Sequence, residues 1–216
     1  MDQDNHNRYS SPLRVRVVEK LLDVSLALSV AIVFLPVIGI LMVLSWRATD
    51  QSPIFRQKRI GAHGKRFTLY KIRTYSVTRK LSSVRAFMRN KRLDELPQLW
   101  NVLKGDIGIV GVRSLRVSEA QGLTGDNQAA YFNSRHGLTG QMQMHHGSKD
   151  SQHENISAYA EPARLARKSL RTFIPFYVLT IAHTVRFMLM SHDTDRNPER
   201  SSLVLDSRPT TAREAA

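Results

Sequence analysis

Two adjacent carboxylates, Asp94 and Glu95, lie within the stretch RLDELPQLWNVLKGD (residues 92–106), in one of the most basic parts of the chain. The segment from Arg47 to Arg113 contains 16 Lys and Arg residues and four acids. Neighbouring cations favour the charged form of a carboxyl group and lower its pKa, so we expect both side chains to be ionised. Ionised carboxylates can bind a hard cation such as Mg²⁺ or attack phosphorus as nucleophiles. The pattern therefore favours phosphoryl transfer, in which cations neutralise a diphosphate.

A less specific interpretation of the same pair is a solvated helix start, where Asp and Glu are common. Apolar residues at helical spacing over residues 83–105 predict two short helices, with Asp94 and Glu95 at the start of the second. Pro97 suits the first turn of that helix, and Gly105 suits its end. Adjacent helical residues point about 100° apart, so the two carboxylates cannot have identical roles.

Strands are predicted on both sides of these helices. In residues 53–75, β-forming side chains flank a turn that contains Gly61 and Gly64, a pattern typical of a hairpin. The stretch IGIVGVR (107–113) is predicted to be a short apolar strand or turn, and HGLTG (136–140) a loop or strand bounded by glycine. These elements would have to position the acidic pair and its basic neighbours.

An apolar run precedes the hairpin. Val24 to Trp46 spans 23 residues without an ionisable side chain, which exceeds the ~18 that mark a candidate membrane helix. Pro36 near its middle predicts a kink, because proline lacks an amide hydrogen and clashes with the preceding turn. Basic residues flank both ends, so the positive-inside rule gives no asymmetry and both ends read as cytoplasmic. From the residues alone, a broken helix inserted from one face and a kinked helix that crosses the bilayer are equal alternatives.

The chain divides into four predicted segments. Residues 1–18 form a polar N-terminal arm, 19–48 the membrane helix, 49–190 a cytoplasmic domain, and 191–216 a disordered tail. Within the domain, residues 170–190 are strongly apolar but carry two Arg side chains, a Pro and a His, which favours an amphipathic helix at the membrane interface. A helix packed on the domain core is the alternative.

The composition limits the classes of molecule that the chain is expected to bind. The chain has 216 residues, a formal net charge of +14 and no cysteine, which allows one domain with appendages and excludes a disulfide framework. The positive charge predicts anionic partners: phosphorylated small molecules, anionic membrane lipids or nucleic acid. No nucleic-acid motif accompanies the charge, so a membrane-tethered nucleic-acid binder rests on charge alone and nucleic acid is not expected as a partner.

The succession of motifs resembles the bacterial sugar transferases, the monotopic polyprenyl-phosphate hexose-1-phosphate transferases that initiate exopolysaccharide and O-antigen chains. The matching pieces, in order, are EKLLDVSLALSVAIVFLPVIGILMVL, PIFRQKRIGAHGKRFTLYKIRT, RAFMRNKRLDELPQLWNVLKGDIGIVGVR and the weaker HGLTGQMQ. They cover most of residues 19–145, and LDELPQLWNVLKGD is highly specific for the family.

The resemblance implies an α+β, mainly helical fold. Its N-terminal part would be a re-entrant membrane helix-break-helix with the break at Pro36. A small cytoplasmic catalytic domain with interfacial amphipathic helices would follow. The implied location is the cytoplasmic face of a bacterial inner membrane, and self-association into a homo-oligomer is left open.

The resemblance also implies an activity. Asp94 would be the nucleophile that takes a hexose 1-phosphate from a nucleotide diphosphate sugar, a UDP-sugar, and releases the nucleoside monophosphate. Glu95 would be its dyad partner, and Mg²⁺ would bind at Asp94 and Glu95. Undecaprenyl phosphate, a polyprenyl phosphate, would then attack the covalent phosphosugar to give a polyprenyl diphosphate sugar. Six further residues match motif positions and would support phosphate or metal binding: Gln57, Arg59, Lys71, Arg73, Arg89 and Arg113.

The chain departs from the family pattern in two places. The family usually has Pro-Arg-Pro where this chain has Val112-Arg113-Ser114, and without the prolines the backbone that aims Arg113 would be looser. The family's Trp-Gln-Val is replaced by Met-Gln-Met at residues 142–144. These departures bear on sugar or nucleotide specificity. They also motivate an alternative function, a catalytically weakened homologue that acts as a membrane scaffold or regulator of polysaccharide assembly.

Overall fold

The computed structural model describes residues 11–49, 51–75, 83–144 and 156–190. The predicted tail, 191–216, and residues 1–10 of the predicted arm lie outside the described residues. The described chain is mainly helical with two three-stranded sheets, in agreement with the predicted α+β class.

Eight α-helices, six β-strands and two short 3₁₀ turns follow one another along the described residues. In order they are α1 (Leu13–Thr49), β1 (Ile54–Ile60), a 3₁₀ turn (Ala62–Gly64), β2 (Arg66–Ile72), α2 (Ser83–Asn90), a 3₁₀ turn (Leu93–Gln98), α3 (Leu99–Lys104), β3 (Gly108–Val110), β4 (Val112–Arg113), β5 (Leu115–Arg116), α4 (Val117–Gln121), α5 (Gly125–Asn133), β6 (His136–Thr139), α6 (Gln141–Met144), α7 (Ile156–Ala166) and α8 (Leu170–Met190).

Helix α1 is continuous over 37 residues and contains Pro36. It begins at Leu13, inside the segment assigned to the polar arm. The residues on both sides of Pro36 are helical, so the helix is not interrupted there as the helix-break-helix prediction requires. One proline removes a single backbone hydrogen bond, and long apolar helices tolerate it. Helices α1 and α8 are both long and apolar enough to cross a membrane, judged by length and composition.

The predicted hairpin is confirmed. β1 and β2 pair antiparallel from Ile54 opposite Ile72 to Ile60 opposite Arg66. The connecting turn contains Gly64, whose φ of 73° suits glycine. β5 pairs antiparallel with β1 on its other edge, so the first sheet has the order β2-β1-β5.

The second sheet is formed by β3 and β4, which both pair parallel with β6. Gly111 separates β3 from β4 and lies against Gly137 of β6: a Cβ on Gly111 would come within 2.7 Å of the Gly137 nitrogen. Gly111 of IGIVGVR and Gly137 of HGLTG are therefore required by the close approach of two backbones.

Helix α1 packs against the domain at both ends. In its N-terminal half, Val15 and Ala27 join a buried apolar cluster with Phe67, Leu99 and Phe173. In its C-terminal half, Leu41 joins another cluster with Ile72 and Met88. Residues 28–40, all of which the structure describes, contain no buried side chain.

Two buried acids of α1, Glu19 and Asp23, strengthen the first contact. Arg135 Nη1 and Arg167 Nη2 each lie 2.8 Å from Glu19 Oε2. Asp23 pairs with Arg135 and accepts hydrogen bonds from the Ile109 amide at 3.1 Å and the Tyr177 hydroxyl at 2.8 Å. Buried charges require such partners, so these pairs fix where α1 meets the domain.

Candidate active site

Asp94 and Glu95 lie in the 3₁₀ turn that runs directly into α3. The sequence predicted them in the first turn of an α-helix. A 3₁₀ turn has three residues per turn instead of 3.6, so the backbone there is wound more tightly than predicted. Arg92, just before the turn, is in the left-handed region with φ 52°, and its carbonyl accepts a hydrogen bond from the Glu95 amide at 3.0 Å. A non-glycine residue in this conformation is uncommon and reverses the chain ahead of the acidic pair.

Lys71 of β2 contacts the pair directly. Its Nζ donates a hydrogen bond of 2.6 Å to Glu95 Oε1, and Arg92 Nη1 lies 3.8 Å from Glu95 Oε2. A buried side chain of α3 holds the two elements together: Asn101 donates to the Thr68 carbonyl at 2.7 Å and accepts from the Tyr70 amide at 3.2 Å. The amide of Asn101 thus satisfies the backbone of β2 and sets the dyad beside Lys71.

The two carboxyl groups have opposite pKa shifts. Burial, followed by the charge of Glu95, raises the pKa of Asp94 to about 7. Burial alone would also raise the pKa of Glu95, but the charges of Lys71, Arg92 and Arg113 outweigh it and lower that pKa to about 2. The expectation that neighbouring cations lower both pKa values therefore holds for Glu95 and fails for Asp94, where burial and the charge of Glu95 outweigh Lys71 and Arg89.

A small cavity of about 20 Å³ adjoins Glu95. Three cationic side chains line it together with Glu95, so it suits an anionic group. Burial and the charge of Arg113 lower the pKa of Arg59 to about 10, which leaves its guanidinium charged at neutral pH. The lining residues are Arg59, Leu69, Lys71, Glu95, Gln98, Arg113, Ser114, Gly137 and Leu138.

A family model described as bacterial sugar transferase matches residues 14–186. This match includes α1 from Arg14 onward, the acidic pair and every residue that lines the cavity. The chain belongs to the bacterial sugar transferase family.

Named relatives are similar over part of their length. The chain is 40% identical to the uncharacterized sugar transferase EpsL of Bacillus subtilis over 105 residues, 43% of this chain and 52% of that protein. It is 32% identical to the exopolysaccharide production protein ExoY of Rhizobium meliloti, over 55% of this chain and 65% of that protein. It is 31% identical to the UDP-glucose:undecaprenyl-phosphate glucose-1-phosphate transferase of Klebsiella pneumoniae, over 51% of this chain and 27% of that protein. The matches thus span less than two thirds of each relative.

Most of the predicted site residues of this sugar transferase lie close together. Lys71 contacts Glu95, and Arg59 and Arg113 line the same cavity. The positive charge of Arg89, on α2, acts on Asp94 and opposes the rise of its pKa. Gln57 lies opposite Leu69 in the hairpin, and its side chain is on the same face as Arg59 because strand residues two apart share a face.

Arg73 is directed elsewhere. Its Nε donates to the Ser52 carbonyl at 2.8 Å, and its guanidinium lies 5.5 Å from the centre of the Phe55 ring. Its own carbonyl accepts a hydrogen bond of 2.6 Å from Ser45 Oγ of α1. Through these contacts Arg73 joins α1 to the hairpin.

Five residues that line the cavity were not among the predicted site residues: Leu69, Gln98, Ser114, Gly137 and Leu138. Gln98 could have been found, because it follows Glu95 by three residues and a 3₁₀ turn has three residues per turn. It is only 5% exposed. The other residues come from β2, from β6 and from the link between β4 and β5, so only the tertiary fold brings them to Glu95.

Proposed function

We propose that this chain transfers a hexose 1-phosphate from a UDP-sugar to undecaprenyl phosphate and so initiates exopolysaccharide or a related glycan. The observation that carries the proposal is the Asp94–Glu95 pair beside a cationic cavity, in a domain attached to a long apolar helix. The cavity supplies charges that suit a diphosphate, and the helix supplies access to a lipid-linked acceptor.

In the proposed first step, an Asp94 carboxylate oxygen bonds to the phosphorus that carries the sugar. The bond from that phosphorus to the bridging oxygen breaks, and the nucleoside monophosphate leaves. In the second step, a phosphate oxygen of undecaprenyl phosphate attacks the same phosphorus and releases the Asp94 carboxylate. The product is the undecaprenyl diphosphate sugar. Such a two-step displacement is the usual logic of covalent catalysis.

The cations beside the acidic pair act on Glu95 and on the substrate. Lys71 and Arg113 hold Glu95 ionised, so it stays a hydrogen-bond acceptor and an anion next to Asp94. The same cations are placed to neutralise the donor's diphosphate, which an anionic nucleophile could not otherwise approach. Asp94 attacks as the carboxylate, and with a pKa of about 7 it is ionised in part of the molecules near neutral pH. Bound cations would favour the ionised form further.

Mg²⁺ is part of this proposal, and the residues fit it. Asp94 and Glu95 are the carboxylates that would hold the ion. Within the described part of the chain, no group of three or more His, Cys, Asp or Glu side chains that could bind a metal ion occurs, so the remaining ligands would be water and substrate oxygens. Magnesium commonly takes one or two carboxylates and completes its shell with water and substrate phosphates. When bound, the ion would supply positive charge at the phosphoryl group that is transferred.

We further propose insertion from one side, on the cytoplasmic face of a bacterial inner membrane. Both halves of α1 pack on one domain while its centre exposes large apolar side chains. This supports insertion of α1 from the side of the domain. Because the helix is unbroken, a re-entrant course requires it to bend within the membrane, and Pro36 is the residue that permits such a bend. Exposed apolar residues of α8, such as Val178 and Leu189, support an interfacial position for that helix.

The test is nucleoside monophosphate release from a panel of UDP-sugars, with undecaprenyl phosphate and Mg²⁺. Without the acceptor, the intact protein should gain the mass of one hexose phosphate. Asp94→Asn should abolish both signals, whereas Asp126→Asn, an exposed acid of α5, should leave both unchanged. Release from none of the sugars would defeat the proposal. Restoration of polysaccharide in a transferase-deficient strain by Asp94→Asn would favour the scaffold function instead.

A further inference from the structure

Arg113 lies where the chain passes from one sheet to the other. β4, which contains Arg113, pairs with β6 in the parallel sheet, and β5 pairs with β1 in the antiparallel sheet. Ser114 alone separates the two strands. The direction of the Arg113 side chain therefore depends on the backbone of this crossing segment, residues 112–116. The segment contains no proline, so no ring fixes a φ angle there.

Hydrogen bonds from two other elements hold the crossing segment. The Tyr131 hydroxyl, from α5, accepts a bond of 2.8 Å from the Leu115 amide and donates one of 2.6 Å to the Ile60 carbonyl of β1. Arg59 Nη1 donates to the Ser114 carbonyl at 2.9 Å. These bonds tie Ser114 and Leu115, the two residues after Arg113, to strand β1.

We propose that Tyr131 is a positioning residue of the transfer site, whose hydroxyl fixes the crossing segment and thereby directs Arg113 into the cavity beside Glu95. The inference rests on the proposed transfer reaction, in which Arg113 contacts the donor's diphosphate. It adds a residue that touches neither substrate nor metal.

The core by itself requires only the ring of Tyr131. The side chain is fully buried, and its ring packs edge-on against Phe132 at 5.3 Å and His136 at 4.4 Å. A phenylalanine would make the same ring contacts. Burial raises the pKa of Tyr131, so its hydroxyl stays protonated and able to donate to Ile60. The two hydroxyl bonds are therefore the feature specific to tyrosine.

The test compares Tyr131→Phe with Tyr177→Phe, which removes another buried hydroxyl, one that donates to Asp23 at 2.8 Å. We expect Tyr131→Phe to raise the KM for the UDP-sugar about tenfold and to change the KM for undecaprenyl phosphate by less than about twofold. Tyr177→Phe should change neither KM. Equal effects of the two variants on both KM values would indicate a general loss of stability and overturn the proposal.

A double-mutant cycle tests whether Tyr131 acts through Arg113. In an Arg113→Ala background, Tyr131→Phe should raise the KM for the UDP-sugar by less than about twofold, because the side chain it positions is gone. A full tenfold effect in that background would overturn the proposal.

Amide exchange gives a readout that does not depend on activity. Tyr131→Phe should speed exchange of the peptide that contains residues 112–116 and leave the dyad peptide, residues 93–104, as in the parent chain. The exchange is measured at low temperature, so that a less stable variant stays folded. Unchanged exchange at 112–116 would contradict the inference even if transfer is observed. Faster exchange without transfer by the parent chain would instead refute the proposed reaction.

Discussion

The Lys71 ammonium lies 2.6 Å from Glu95 Oε1, and this contact separates the roles of two neighbouring carboxyl groups. Glu95 is held as an anion by Lys71, Arg92 and Arg113, while burial and the charge of Glu95 raise the pKa of Asp94. Near neutral pH, Asp94 is therefore ionised in part of the molecules. Because folding raises its pKa, ionisation of Asp94 lowers the stability of the folded protein.

The first prediction at this scale concerns pH and stability. The pKa of Asp94 is raised from 3.8 to about 7, so its contribution to folding is complete below pH 3.8 and is lost as the pH rises through about 7. Asparagine mimics the protonated group. In EDTA, Asp94→Asn should melt with the parent chain near pH 4 and about 2–4 °C above it at pH 8, the shift expected for ~1 kcal/mol.

Thermal melts in detergent would check this. Asp126→Asn, the same change at an exposed position of α5, is the control and should show no such pH-dependent difference. A melting temperature of Asp94→Asn that stays equal to the parent's at pH 8 would mean that Asp94 ionises freely in the folded protein.

The second prediction at this scale concerns Lys71. Lys71→Met should raise the pKa of Glu95, since it removes the first of the cations that lower it, and should leave the donor's diphosphate less neutralised. We expect kcat/KM for nucleoside monophosphate release to fall at least about a hundredfold. Lys104→Met is the matched control, because Lys104 pairs with Asp106 at 3.0 Å outside the site. Equal activities of the two variants would remove Lys71 from the mechanism.

At the scale of elements, the parallel sheet is held by contact between glycines. A Cβ on Gly137 would overlap with the backbones of Val110 and Gly111, whereas one on Gly122 would meet its nearest atom at 3.6 Å. Backbone atoms cannot move aside as a flexible side chain can. The β3-β6-β4 sheet, and with it the crossing segment that carries Arg113, therefore depends on Gly137.

Replacement of these two glycines tests that dependence. Gly137→Ala should lower the free energy of unfolding by about 2–4 kcal/mol, as overpacking against fixed backbone does. Gly122→Ala should change it by less than about 1 kcal/mol. Urea unfolding followed by circular dichroism would measure both. A Gly137→Ala chain as stable as Gly122→Ala would show that the strands can separate without cost.

At the scale of the whole molecule, α1 and the domain behave as one unit. Glu19 pairs with Arg167 near the start of the helix, and Ser45 donates to the Arg73 carbonyl near its end. Both contacts can persist in a membrane only if both ends of α1 stay on the side of the domain. A single crossing would have to break one of them and expose buried charge or backbone.

Cysteine labelling tests this arrangement directly, because the chain contains no cysteine. Single substitutions Arg14→Cys and Gln51→Cys place a thiol in the first turn of α1 and just after its end. Gln128→Cys, exposed on α5, marks the side of the domain. An impermeant maleimide should label all three in inverted membrane vesicles and none in intact cells. Opposite labelling of positions 14 and 51 would establish a crossing helix.

The sequence alone determined α1 and the β1-β2 hairpin, and it favoured a chemistry, because these follow from local patterns. Apolar run length predicted α1, the turn glycines predicted the hairpin, and an acidic pair among cations favoured phosphoryl transfer. Lys71 and Arg113 could be nominated through family motifs. Two features differ from the prediction: α1 is continuous through Pro36, and a 3₁₀ turn contains Asp94. Both depend on small differences in backbone energy, which a sequence pattern does not encode.

Only the tertiary structure decided how these parts act on one another. Arg73 was expected at the site but joins α1 to the hairpin. Tyr131 carried no sequence signal but bridges Ile60 and Leu115. The raised pKa of Asp94 was the reverse of the expectation, because charge counted along a sequence omits burial. Desolvation and long-range hydrogen bonds depend on distances between residues far apart in the chain, and folding alone sets those distances.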